Sequence, residues 1–186
     1  MKTLLLSNSL FLLLGFLGVL FQHQDVTIAN EEPQLEFQAA ADRSEFVPGE
    51  QMTLKLIVIN HGKTPVYLSR NVSSCMFWSG YFDIQVLDEK GYDVRPLGCA
   101  SHHLPMSAAE IMQDMKDPKQ WVLLRPNEIY GNAEAFWVPK NKGTYHIKAV
   151  LAGPVLGTDQ EQFLLQNHMF FVQHRLVAPI VPITIK

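Results

Sequence analysis

Phe46-Val-Pro-Gly-Glu50 leads into Met52-Thr-Leu-Lys-Leu-Ile-Val-Ile-Asn60, and Lys142-Gly-Thr-Tyr-His-Ile-Lys-Ala-Val-Leu151 follows further down the chain. Each opens on a turn with Pro or Gly and then alternates. A strand points successive side chains to opposite faces, so Met52, Leu54, Leu56 and Val58 share one face, the expected core face. Thr53 and Lys55 take the other, while Ile57 and Ile59 suggest that this outer face is covered near the strand's end. Pro fixes φ and Gly permits positive φ, which suits Val47-Pro-Gly-Glu50 to a turn.

Working outward, Leu35-Glu-Phe-Gln-Ala39 alternates and reads as a first strand. Asn60, His61 and Gly62 make a turn, and Pro65-Val-Tyr-Leu68 starts a third strand. Tyr81–Leu87 and Tyr92–Val94 are joined by Asp88-Glu-Lys-Gly91, a hairpin signal, with Phe82, Ile84 and Val86 facing inward. Ser107-Ala-Ala-Glu110 has capping-box spacing and predicts a short helix over 108–116. Strands are expected at 121–124, 133–138 and 144–151, with a turn at Arg125-Pro-Asn-Glu128. Two long insertions, 98–120 and 152–176, interrupt the pattern. In the second, Thr158 and Glu161 fit a helix cap, while Met169-Phe-Phe-Val172 fits a strand equally well. Val181-Pro-Ile-Thr-Ile185 closes the chain, and its prolines suit an edge strand. Roughly seven to nine short strands with little helix predict an all-β antiparallel sandwich over residues 35–186.

The chain has 186 residues, enough for one domain plus a targeting segment. A formal charge of −3 without charge blocks argues against nucleic-acid binding. Residues 4–21 are nearly continuous apolar and follow Lys2, as in a secretory signal. Thr27-Ile-Ala29 places cleavage after Ala29, giving a signal at 1–29, a linker at 30–34 and the domain at 35–186. The alternative is an uncleaved anchor, since the run approaches the roughly 18–20 residues that span a bilayer. Membrane attachment is expected only in that case; otherwise the protein is secreted or periplasmic. No Cys follows the apolar run, which excludes a lipidated Cys at the cleavage site. In an exported chain, Cys75 and Cys99 are expected to form a disulfide. It would close a loop of about 25 residues and contribute roughly 3 kcal/mol. Neither C-x-x-C spacing nor neighbouring ligands favour a redox or metal role. Asn71-Val-Ser73 is a glycosylation sequon that carries meaning only in a eukaryotic cell.

Gly143-Thr-Tyr145-His-Ile147 resembles the tyrosine corner of immunoglobulin-like domains. There a Tyr hydroxyl caps backbone at a sheet-to-sheet corner, two residues before the strand's core Cys. Ile147 stands at that Cys position, so the usual inter-sheet disulfide is missing and Cys75–Cys99 would be a different, local bridge. The order of motifs over residues 46–151 is similar to the bacterial intracellular proteinase inhibitor family, also an immunoglobulin-like sandwich. The shared features are Asn60 before Pro65-Val66, the hairpin from Tyr81-Phe-Asp83 to Gly91, Leu124-Arg-Pro-Asn-Glu128, and the Gly143-x-Tyr145 strand. The resemblance implies the fold and, as an activity, inhibition of a protease by a rigid exposed loop. An apparent export signal, a cysteine pair and the insertions depart from that family.

No Gly-x-Ser-x-Gly, His-Glu-x-x-His or phosphate loop is present, and the acidic residues are scattered. No enzyme and no cofactor are expected. The chain has seven His and seven Met, and His102, His103, Met106, Met112, Met115 and His168-Met169 suit a copper carrier by ligand type. Met112 and Met115 are equally what a helix packs into a core, and adjacent loop histidines are commonly solvated. No metal site is therefore expected. Trp78 and Tyr81, beside Cys75 in a Ser/Gly-rich connection, are candidate binding anchors together with His102 and His103; burial in the core is the competing reading for the aromatics. The expectation is a non-catalytic, exported immunoglobulin-like module that binds an unknown protein or cell-envelope component. Segment 75–99 and the two insertions would supply the surface. Protease inhibition comes second and a His/Met copper carrier third.

Overall fold

The alternation around Met52 builds the middle strand of one sheet. In the computed structural model, which describes residues 33–70, 80–94 and 106–186, β3 (Gln51–Asn60) lies between β1 (Leu35–Ala41) and β7 (Ile129–Trp137), antiparallel to both. The expected signal segment lies outside the described residues. Met52, Leu54, Leu56 and Val58 are buried as expected, while Lys55 is exposed and Thr53 partly so.

A second sheet has the order β2 (Glu45–Phe46), β10 (Val181–Ile185), β8 (Gly143–Ala152), β5 (Tyr81–Leu87), with β9 (Leu176–Val177) pairing the far end of β8. A small third sheet joins β4 (Val66–Ser69) to β6 (Trp121–Leu124). Phe37, Met52, Leu54 and Leu56 of the first sheet share one core with Phe82, Ile84, Ile147 and Ile183 of the second. The Phe37 and Phe82 rings meet across the layers at 5.8 Å between centroids. The order β1-β3-β7 over β5-β8-β10 matches the A-B-E and C-F-G strands of an immunoglobulin-like sandwich. The tyrosine corner is formed: Tyr145 is buried and its hydroxyl donates to the Asn141 carbonyl at 3.1 Å. Ile147, at the Cys position, is fully buried.

Several elements differ from the sequence expectation. The second sheet is not wholly antiparallel, because β2 runs parallel to β10. β10 is internal rather than an edge. Thr184 donates its N–H to Ser44 on the β2 side at 2.8 Å, so Pro182, two residues earlier, turns its N–H-less nitrogen the same way. The two-residue β2 does not reach that far, and the proline sits where the strand is locally an edge. β7 begins at Ile129 instead of 133, since pairing with β3 carries it through Gly131 and Asn132. The return of the 81–94 hairpin shrinks to a bridge between Leu87 and Asp93.

Asn60 ends β3 fully buried and fully bonded. Its Nδ2 donates to the carbonyls of Thr64 at 2.8 Å and Leu124 at 3.1 Å, and its Oδ1 accepts the Gly62 N–H at 2.9 Å. Its backbone N–H donates to the Glu128 carbonyl at 3.1 Å, and its carbonyl accepts the Asn127 N–H at 2.7 Å. One side chain thus ties β3, the following turn and the end of β6 together.

Two turns repeat one design at opposite ends of the β3–β7 ladder. In Val47-Pro48-Gly49-Glu50 and Arg125-Pro126-Asn127-Glu128 the third residue has positive φ, 71° at Gly49 and 62° at Asn127. Proline before a positive-φ residue is type II turn chemistry. In each the Glu carboxylate accepts the first residue's N–H, at 3.0 Å from Val47 and 2.8 Å from Arg125. Those backbone donors, helped by the guanidinium groups of Arg43 and Arg125, hold both carboxyls below their ordinary value.

Asn60→Ala should cost about 2–4 kcal/mol in chemical denaturation, because it removes the side-chain hydrogen bonds to Thr64, Leu124 and Gly62 and leaves a hole at a fully buried position. A pH prediction follows from the turns. A carboxyl lowered in the folded state stabilises fully above its unfolded value of 4.5, and that contribution drains as pH falls through the folded value. The double variant Glu50→Gln, Glu128→Gln should therefore lose stability less steeply on the acid side, measured by denaturant midpoints across a pH series.

Candidate functional site

The described part of the first insertion, 106–120, packs with the second into one lobe. α1 (Ala108–Asp114) starts at the expected N-cap: Glu110 N–H donates to Ser107 Oγ at 3.3 Å, and Ser107 N–H donates to the Glu110 carboxylate at 2.7 Å. α2 (Thr158–Gln166) is capped by Gly157 rather than Thr158, and Gln160 rather than Glu161 reaches back to accept the Gly157 N–H at 2.8 Å. Ile111, Met115 and Trp121 meet Leu164, Met169 and Phe171 in a second small core. Gln160 Nε2 donates to the Met106 carbonyl at 2.6 Å, joining the insertions directly. Trp121 Nε1 donates to Asp114 at 3.0 Å, and Tyr67 N–H donates to the Phe170 carbonyl at 2.7 Å, which fixes the lobe to β4. Met169–Val172 is therefore not a strand; Phe171 makes a single parallel bridge to Tyr67.

The methionines offered as soft ligands are packing groups. Met115 and Met169 are buried in the lobe core, and Met106 and Met112 pack against it. His168 is the left-handed residue that ends α2, with φ 58°. Its N–H donates to the Leu165 carbonyl at 3.0 Å, and Met169 N–H donates to the Leu164 carbonyl at 2.9 Å, the paired bonds of a Schellman motif. Met169 and Leu164, both buried, are the apolar contact that accompanies it. Among the described residues no three His, Cys, Asp or Glu side chains gather to hold a metal ion. No helix among them is long and apolar enough to cross a membrane.

Of the other sequence candidates, Cys75, Cys99, Trp78, His102, His103 and the Asn71 sequon lie outside the described residues. Tyr81 opens β5, opposite Ala152.

A groove that the sequence did not announce runs beside β1. A cleft of about 180 Å³ is lined by Pro33, Leu35, Phe171, Val172, Gln173, His174 and Leu176. It continues into a wider trough of about 500 Å³ along residues 35–39, with Leu176, Val177 and Pro179 opposite. Gln34 and Asp42 make their backbone bonds to the β3 side, accepting from His61 at 2.8 Å and donating to Thr53 at 3.0 Å. By alternation, Leu35, Phe37 and Ala39 turn their backbone N–H and C=O groups towards the trough. Glu36 on the rim pairs with His61 at 2.7 Å; hydrogen bonds from Gln38 and then His61 hold its carboxyl below the ordinary value. Val177 on the far bank is 54% exposed. The sequence signal was slight: an apolar pair, Leu176-Val177, just before Pro179.

His168→Gly should stabilise the protein by about 0.5–1 kcal/mol, because glycine enters the left-handed region without a Cβ penalty. A raised denaturation midpoint is the expected reading, with any metal response of the protein unchanged.

No protein-family model matches the chain, and no curated protein matches its sequence. Solved structures that resemble it include the CARDB domain of a Pyrococcus furiosus protein in complex with di-metal ions. That likeness has 14% identity and a TM-score of 0.43, covering 84% of this chain and 90% of that one. A protein described as ApaA from Bordetella pertussis gives 11% identity and a TM-score of 0.43, covering 83% and 95%. A β-glucosidase from Erythrobacter marinus gives 13% identity and a TM-score of 0.39, covering 83% of this chain but 16% of that one. At these scores neither the di-metal ions nor the glucosidase activity transfers, and the immunoglobulin-like arrangement stands on strand order and the Tyr145 corner.

Proposed function

We propose that this chain is an exported, non-catalytic immunoglobulin-like module that binds another protein by taking an extended segment of it along the edge of β1 that no other described strand pairs. The observation that carries this reading is the trough itself. Backbone donors and acceptors of Leu35, Phe37 and Ala39 line one bank and apolar Leu176, Val177 and Pro179 the other. Strand addition uses both parts: main-chain hydrogen bonds supply affinity, and pockets for alternate side chains supply specificity. The rigid sandwich behind β1 limits the ordering cost of binding to the incoming segment.

A second reading, protease inhibition, draws on the turn after β5. Asp88 Oδ1 accepts the N–H groups of Lys90 and Tyr92, both at 2.9 Å, which orders the turn. Tyr92 beside it is 69% exposed, as a residue offered to a cleft would be.

A library of extended peptides selected against the purified protein, followed by amide hydrogen exchange, separates these readings. Selected peptides should slow exchange at Leu35, Phe37 and Ala39, and Val177→Asp should weaken them about tenfold, the effect of roughly 1.4 kcal/mol. Peptides that bind without protecting those amides, or an empty selection, would overturn the strand-addition reading. Stoichiometric inhibition of an endopeptidase that disappears in Tyr92→Ala would favour the second.

A further inference from the structure

The opposite edge of the same sheet carries an independent feature. β7 pairs β3 on one side, and among the described residues its other side has no strand partner. Asn60 N–H donates to Glu128 and Val138 N–H to Glu50, so the even-numbered residues of β7 face the β3 ladder. Ile129, Gly131, Ala133, Ala135 and Trp137 therefore direct their backbone N–H and C=O groups to the open edge. The Ala133 N–H confirms the direction, since it donates to the side chain of its own neighbour, Asn132 Oδ1, at 2.8 Å. Those five residues are also the exposed ones, with Ile129 at 66% and Trp137 at 70%.

We infer that β7 is a self-pairing edge, and that its partner is β7 of a second copy of this chain, antiparallel and centred on Ala133. Ile-Tyr-Gly-Asn-Ala-Glu-Ala-Phe-Trp is close to a chemical palindrome about that residue. Centring there sets Ile129 beside the partner copy's Trp137 on the outer face, with Gly131, Ala133 and Ala135 leaving room between them. On the inner face it sets Tyr130 beside Phe136 of the other copy, and the Asn132 amide beside the Glu134 carboxylate. Centring one residue later would oppose the two Glu134 carboxylates, and one residue earlier would leave Trp137 without Ile129. An inward-facing charge normally protects an edge from indiscriminate pairing. Here Glu134 admits the one register that offers it an amide. The result is an isologous two-fold contact that joins two three-stranded sheets into one. A single strand pair is a small interface, so the dimer forms and dissociates with concentration.

Sedimentation velocity of the full chain in mild detergent, which keeps the apolar run 4–21 from driving association, tests this directly. A monomer–dimer equilibrium is expected, lost in Ala133→Pro, which removes an N–H that β3 does not use. Ala133→Cys should cross-link to itself on mild oxidation, since hydrogen-bonded antiparallel partners lie about 5.5 Å apart at Cα, within disulfide range. Thr53→Cys, on the neighbouring strand, should not. A chain that stays monomeric at every soluble concentration overturns the inference. So does a dimer that Ala133→Pro leaves intact and Ala133→Cys fails to cross-link. Should Ala133→Pro not fold, the cross-linking pair decides alone.

Discussion

The hydrogen bonds of Asn60 are the constraint on which the rest of the sandwich depends. β3 is the middle strand of its sheet, and its inner face is core throughout. Where it ends, a buried amide meets the turn to β4, the last carbonyl of β6 and the turn into β7. A buried polar side chain is tolerated only when its partners are complete, and here each donor and acceptor of Asn60 has one. The position thus converts local chain reversals into a fixed relation among three strands. A smaller residue would leave holes in that relation, because Asn60 is itself fully buried.

Period-two alternation made the inner faces of both main sheets legible. Met52 to Val58, Phe82 to Val86 and Tyr145 to Ile147 carry their inward and outward roles in residue type alone, because one face meets core and the other does not. Turn chemistry was legible for the same reason, since Pro followed by Gly or Asn at 47–50 and 125–128 leaves few conformations. The capping box at Ser107 was visible because its spacing is itself the interaction. Helix α2 was half visible: Gly157 gives no side-chain signal, so the cap was misplaced onto Thr158. Pro182 misled because β10 is internal only along part of its length, which depends on how far a two-residue strand reaches.

Surfaces were far less legible than the core. The trough beside β1 is made by segments more than a hundred positions apart, and no local pattern records that Leu176 will face Leu35. The methionines show the converse. By type they suggested soft ligands, yet their spacing already fitted a helix packing into a small apolar lobe, and packing is where the structure puts them. His168 belongs to the same lesson, because its backbone angle rather than its imidazole explains its position.

The parallel pairing of β2 with β10 also sets a timetable. Lys186 and Glu45, joined at the end of that ladder, are 141 positions apart. During synthesis the Glu45–Phe46 segment must wait, without its β10 partner, until residues 184–185 have been made. Contacts of such separation form late and slowly, since the loop-closure entropy is lost before the contact repays it. A chain of this topology emerges from the ribosome with its second sheet necessarily open. That interval leaves the unpaired edge of the second sheet exposed to capture by neighbouring chains.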